Sequence, residues 1–264
     1  MIDTQFTRQF GLIYPVMIEP NSQRAQGHLA AEASGAGAMG FVAARACDAD
    51  WIAAQFRAVG DTAIGCSLSI SDLRRAPEFL TVVLSLRPRA IFLKEGDPRS
   101  FADDIRRHGC RLICEARSMA DLDTVLEIGP DVLVVRGSGE VPAFAGETTF
   151  SLVPQVSDYL YTRQDEVSLV ASGQVCDSRG VAAMIALGAD GVVLDHHSWS
   201  GDIRTPEQAG AKAADMAAIL RETGGKAERI LQNLPRKVVT EPDGPGVTGL
   251  LDPDIQSDHN QDKA

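Results

Sequence analysis

Two short stretches of the chain could hold an anion or a metal. Ser172-Gly173-Gln174 follows the β-branched apolar run of residues 167–171 and precedes a helix that Asp177 or Ser178 would cap. A residue without a side chain lets a ligand approach the backbone, and unpaired N–H groups at a helix N-terminus suit a phosphate. A glycine kept for helix–strand packing would read the same way. The second stretch, Asp195-His196-His197, ends another apolar run that starts at Gly191. Asp195 and His197 share a face of that run and could meet Glu19 or Glu115 around a metal, while His196 points the other way. Two adjacent histidines are more often plain exposed residues, and no metal site is assigned.

These residues must be placed by a regular scaffold. Residues 167–195 read as strand, helix, strand with short connections, a βαβ unit whose strands run parallel. The same alternation extends back along the chain. Strand candidates fall at residues 12–19, 38–44, 62–68, 89–94, 110–116 and 131–136, with helical segments at 26–37, from Asp48, 72–85, 98–108, from Ser118, 151–161 and 205–222. Eight strands and eight helices in about 220 residues predict an α/β fold of the TIM (β/α)8 barrel type, with a doubly wound open sheet as the other option. The barrel domain is expected over 1–223. Residues 224–264 are expected to form a short helix near 227–234 and a disordered acidic tail.

A barrel puts its site at the carboxyl ends of its strands. Those ends read Glu19-Pro20-Asn21, Ala44-Arg45, Ser67, Lys94-Glu95, Glu115-Ala116-Arg117, Arg136-Gly137, Ser172-Gly173-Gln174 and Asp195-His196-His197. The ring is polar and charged where the strand bodies are apolar.

Bulk properties narrow the partners. The chain has 264 residues and a formal charge of −11, which disfavours nucleic acid and anionic membranes. Residues 240–264 contribute about −5 of that charge, which reads as a solubilising segment. No apolar run reaches the roughly 20 residues of a membrane span. The N-terminus lacks a basic head followed by an apolar stretch. Five cysteines without metal spacing predict reduced thiols and a cytoplasmic protein. A small-molecule substrate is the expected partner. Ala-rich helix faces suit a homodimer or tight monomer packing equally.

Four stretches resemble the nitronate monooxygenase (2-nitropropane dioxygenase) family of FMN-binding TIM barrels. YPVMIEPN (residues 14–21) is similar to the family's opening strand, with Glu19-Pro20-Asn21 where the family has Ala-Pro-Met. HLAAEASGAGAMGFV (28–42) resembles its first helix and turn, matching at Gly37 and Gly40. DVLVVRGSGE (131–140) resembles the strand that ends Val-Gln-Gly, with Arg136 for Gln. LVASGQVCDSRGVAAMIALGADGVVL (169–194) is the strongest likeness. The resemblance covers roughly residues 10–220, and the family's longer C-terminal part is largely missing.

The resemblance implies FMN bound through Pro20, Asn21, Ser67, Arg136, Ser172, Gly173, Gln174, Asp195 and His196, with the phosphate near Gly173 and Gln174. Ser67 stands where the family has Asn. Arg136 could stabilise negative charge on reduced flavin. Two departures fall at the chemistry. Asp195 stands in the second phosphate turn, and like charges about 4 Å apart cost ~1 kcal/mol in water and ~4 at an effective dielectric of 20. A helix N-terminus returns only about 0.3–1 kcal/mol, ~2 at best. The family's catalytic His follows the sixth strand, and matching Glu140 to the family's Glu without a gap puts Phe144 at that position, which cannot accept a proton. Arg136, Glu140 and His196 are then the remaining catalytic candidates. The expected function is an FMN-dependent, nitronate monooxygenase-like oxidoreductase with altered or weak activity. The alternative is a non-catalytic barrel of the same family that has lost FMN and binds a ligand or partner.

Overall fold

The computed structural model describes residues 2–19, 26–44, 47–137, 147–173, 175–194 and 206–232. Eight parallel strands close into a barrel in chain order: β1 (Val16–Ile18), β2 (Met39–Ala44), β3 (Gly65–Ser69), β4 (Ala90–Lys94), β5 (Arg111–Ala116), β6 (Val132–Arg136), β7 (Ser168–Ser172) and β8 (Gly191–Val193). Closure is made by β8 on β1, with Val16 opposite Val192 and Met17 opposite Val193. Helix α1 (Gln5–Phe10) precedes the barrel. Around it follow α2 (Gln26–Gly35), α3 (Ala49–Val59), α4 (Ile70–Arg75), α5 (Glu78–Ser85), α6 (Arg99–Arg107), α7 (Met119–Leu126), α8 (Thr149–Arg163), α9 (Ser178–Ala186) and α10 (Pro206–Gln232). This is the TIM barrel that the alternation predicts.

The side-chain period of two splits the strands between two cores. Inside the barrel lie Met17, Met39, Phe41, Phe92, Ile113, Val134 and Val170. The intervening residues, among them Val42, Ile91, Leu112, Leu133 and Leu169, pack outward against the helices. The barrel floor is filled by Phe6, Phe10 and Leu12, which join the inner core. Helix α1 is absent from the sequence expectations because six residues are too few to show a helical period. Thr4 holds it, in a capping box with Thr7.

Three boundaries differ from expectation. The first strand is confined to residues 16–18, because Leu12 turns into the floor and Pro15 supplies no N–H. The helix expected at 72–85 is two, α4 and α5. Pro77 excludes the helical region at Ala76, which sits at φ −138°, ψ 73°. The helix expected to end at Glu222, followed by a separate one near 227–234, is a single α10 running to Gln232. Gly224 is useful there because a Cβ would strike the ring of Tyr14.

Paired aspartates fix the lower ends of the strands. Asp131, just before β6, accepts from Leu112 N of β5 at 2.8 Å; Asp190, just before β8, accepts from Leu169 N of β7 at 2.9 Å. Asp190 also accepts from Gln5 N at 3.2 Å and so ties α1 to the barrel. Its carboxyl pKa is raised by burial.

Candidate active site at the carboxyl mouth of the barrel

Among the described residues, counting by two from the inner core brings seven polar side chains to the mouth: Glu19, Ser67, Ser69, Lys94, Glu115, Arg136 and Ser172. Each stands on the inward parity of its strand. Lys94 reaches from β4 to the end of β1, where its Nζ donates to Glu19 Oε1 at 2.7 Å and Oε2 at 3.0 Å. The pair is half-buried, at 23% and 18% side-chain exposure. The ammonium also stands 5.6 Å from the centroid of the Phe92 ring, on which Phe41 packs edge-on.

Ser67 lies beside Phe92 in the β3–β4 register. It is 1% exposed, and its Oγ has no hydrogen-bond partner among the described residues. An unpartnered buried hydroxyl is costly to keep, about 1–3 kcal/mol.

Glu115 is 8% exposed. Its Oε2 accepts from Glu95 N at 3.3 Å. Burial raises its pKa, against the pull of Arg117, Arg136 and Lys94. Arg136 is exposed at the end of β6, with no ion-pair partner among the described residues.

The Gly173 turn is organised from both sides. Arg136 and Ser172 are register partners of β6 and β7. Thr149 Oγ1, at the start of α8, donates to Ser172 O at 2.8 Å and accepts from Gly137 N at 3.0 Å, clasping both strand ends. A Cβ on Gly137 would collide with the backbone of residues 147–149. Gly173 has φ +117°, which a side chain would strain. Asp177, not Ser178, caps α9, accepting from Arg179 N at 2.9 Å and Gly180 N at 3.0 Å. Those two helix N–H groups are therefore occupied, and an anion at Gly173 is left to the turn backbone. This modifies the expectation of a phosphate on the helix N-terminus.

A cavity of about 420 Å³ opens beside the mouth, between the β4–α6 loop and α7. Glu95, Asp97, Glu115, Arg117 and Asp121 line it, with Val125 among its apolar residues. The loop bends through two left-handed residues, Glu95 at φ +61° and Gly96 at φ +144°. Asp121 accepts from Arg117 N at 3.0 Å. Asp97 and Asp121 are missed by reading strand ends alone; the one signal in the sequence is the turn-forming Glu95-Gly96 just ahead of Asp97.

Of the residues expected to bind or act, Ser67, Arg136, Ser172 and Gly173 are brought to this mouth. Pro20, Asn21, Glu140, Phe144, Gln174, Asp195, His196 and His197 lie outside the described residues. Among the described residues no group of three or more His, Cys, Asp or Glu could hold a metal, and no helix is long and apolar enough to cross a membrane.

A closed parallel eight-stranded barrel with its charged and orphaned polar groups gathered at the carboxyl ends defines a (β/α)8 barrel of the enzyme type. The nitronate monooxygenase family matches residues 66–197, half of the chain, and this chain belongs to that family. It is 30% identical over 222 residues to nitronate monooxygenase of Neurospora crassa, covering 68% of this chain and 58% of that protein. It is 43% identical over 68 residues to nitronate monooxygenase npaC of Metarhizium robertsii, covering 25% of this chain and 18% of that protein. The chain thus spans little more than half the length of the Neurospora relative. Among solved structures, FabK from Thermotoga maritima superposes with a TM-score of 0.64 at 24% identity, over 74% of this chain and 61% of its own. Nitroalkane oxidase from Streptomyces ansochromogenes does so with a TM-score of 0.59 at 20% identity, over 72% and 67%. At these identities the structural likeness speaks for the barrel alone.

Proposed function

We propose that this chain is an FMN-dependent oxidoreductase of the nitronate monooxygenase kind, acting on a nitronate or its parent nitroalkane. Family membership supports the class. The observation that carries the cofactor is the buried Ser67 hydroxyl, unpartnered among the described residues, at the mouth where the family resemblance puts a residue that hydrogen-bonds the flavin. The left-handed Gly173, next to a strand end braced by the Thr149 clasp, suits the phosphate. When bound, the flavin supplies a two-electron acceptor.

The chain's own residues do the rest. Ser67 Oγ offers one hydrogen bond at the ring. Arg136, unpaired among the described residues, favours negative charge on whatever lies over the β6 end. Lys94, held by Glu19 and resting on Phe92, sets a fixed charge at the mouth. The five free cysteines fit a reducing, cytoplasmic setting.

One observation favours the second reading, a ligand-binding barrel without flavin. The Glu19–Lys94 pair reaches from β1 to β4 and takes up part of the mouth. A visible absorption spectrum of the purified protein, repeated after excess FMN and gel filtration, separates the two. Flavin absorbance that co-elutes, with FMN retained and riboflavin lost, is the expected result. A colourless protein that rejects FMN overturns the flavin reading and leaves the ligand-binding barrel.

A further inference from the structure

We propose that Glu115 is the base that removes the α-proton of a neutral nitroalkane held in the cavity beside the barrel mouth. The substrate class rests on the function proposed above; the role of Glu115 rests on its own geometry. Its inward parity on β5 brings the carboxylate to the mouth, and the same residue lines the 420 Å³ cavity. The side chain is more than nine-tenths buried. Its one hydrogen bond among the described residues is long, 3.3 Å from Glu95 N to Oε2, so Oε1 keeps its accepting capacity. No cation among the described residues is within ion-pair distance, and the neighbouring ammonium of Lys94 is committed to Glu19. A buried carboxylate that is neither paired nor fully hydrogen-bonded is costly to keep charged, so packing alone does not account for Glu115 here.

The step balances within the cavity. The α C–H bond breaks, its proton forms an O–H bond with Oε1, and its electron pair moves into the nitro group to give the nitronate. One negative charge passes from Glu115 to the product, so the local charge is unchanged. Arg117 at the end of β5, Arg136 on β6 and Lys94 on β4 all act on the Glu115 charge and would also attract a nitronate formed beside it. Glu95 and Asp97 from the β4–α6 loop and Asp121 from α7 face the same space with the opposite sign. Neither an oxidant nor a metal takes part in the transfer, so it proceeds in protein with or without flavin.

The test follows hydrogen–deuterium exchange at the α-carbon of nitroethane in D2O by NMR, with the protein as purified and its flavin content read from absorbance. Wild type should accelerate exchange, with a rate that rises with pH through an inflection above the ordinary carboxylate range. Glu115→Gln should lose about 10²-fold or more of that exchange while circular dichroism and flavin content are unchanged. Oxidation of preformed nitronate, which needs no proton removal, should fall by a smaller factor than oxidation of the parent nitroalkane. Undiminished exchange in Glu115→Gln, or a wild type that oxidises nitronate without exchanging the α-proton, overturns the assignment. Exchange that is lost in Glu115→Gln, in protein that never takes up FMN, upholds Glu115 and defeats only the flavin reading. Should Glu115→Gln not fold, Glu115→Asp decides: a displaced pH inflection supports the role, and an unmoved one refutes it.

Discussion

Ser67 and Lys94 stand on the adjacent strands β3 and β4, yet they meet opposite fates. The Ser67 hydroxyl is buried without a bond among the described residues, whereas the Lys94 ammonium has a carboxylate and an aromatic face. Replacing Ser67 with Ala should therefore act in two directions. The ligand-free protein should gain up to about 1–3 kcal/mol by losing an unsatisfied group, and flavin binding should weaken by about 0.5–1.5 kcal/mol, roughly two- to tenfold. Thermal unfolding and flavin titration of the same variant check both signs; a variant less stable without ligand would mean the hydroxyl is satisfied. For Glu19 and Lys94, a double-mutant cycle should return a coupling of about 1–3 kcal/mol, between the values of exposed and buried pairs. A coupling near zero would show that the pair does not hold the mouth. Ser67, Glu115, Arg136 and Ser172 are legible in sequence because strand alternation puts them at carboxyl ends on one parity. The Glu19–Lys94 contact is not, since two strands separate β1 from β4 and only the closed barrel brings their side chains within reach.

Among the elements, α9 shows how a cap shapes a site. Asp177 engages the first free N–H groups of the helix, and the Gly180 N–H, with Arg179 beside it, holds its carboxyl below the ordinary range. Asp177→Ala should cost about 0.5–2 kcal/mol at neutral pH. A lowered folded pKa gives stability that is present above the unfolded value and lost as pH falls through the folded one. Variant and parent should therefore converge on acidification, which denaturant midpoints at a series of pH values would show; a constant gap would mean the cap acts without its charge. The sequence names the capping position to within one residue, and only the structure selects Asp177. Pro77 is equally visible in sequence, but a periodic apolar pattern across it, Leu73 to Leu80, reads as one helix unless the proline is given precedence over the period.

At the scale of the molecule, β/α alternation is enough to give the barrel, because a parallel sheet of eight short apolar strands has few ways to bury both faces. What alternation leaves out is how the barrel is finished. The floor depends on Phe6 and Phe10 in a helix too short to announce itself, and α10 continues past two glycines that would ordinarily end it. Helix α10 packs on both α9 and α2, with Leu220 and Ala227 fully buried. A chain ending at residue 205 should consequently lose its sharp unfolding transition and bind an apolar dye, as seen by calorimetry and fluorescence; a sharp transition near the parent's would show α10 to be dispensable.

The pairing of β1 with β8 has a further consequence, for the history of each molecule. Val16 waits for Val192 across most of the chain. Until that partner has been synthesised, β1 has an unpaired edge and the half-built sheet presents bare backbone donors and acceptors. Contacts so distant in sequence form slowly, after much chain entropy has been given up. The closed barrel has no edge by which to aggregate, but its nascent form has two, so the exposure to aggregation comes before the mouth exists.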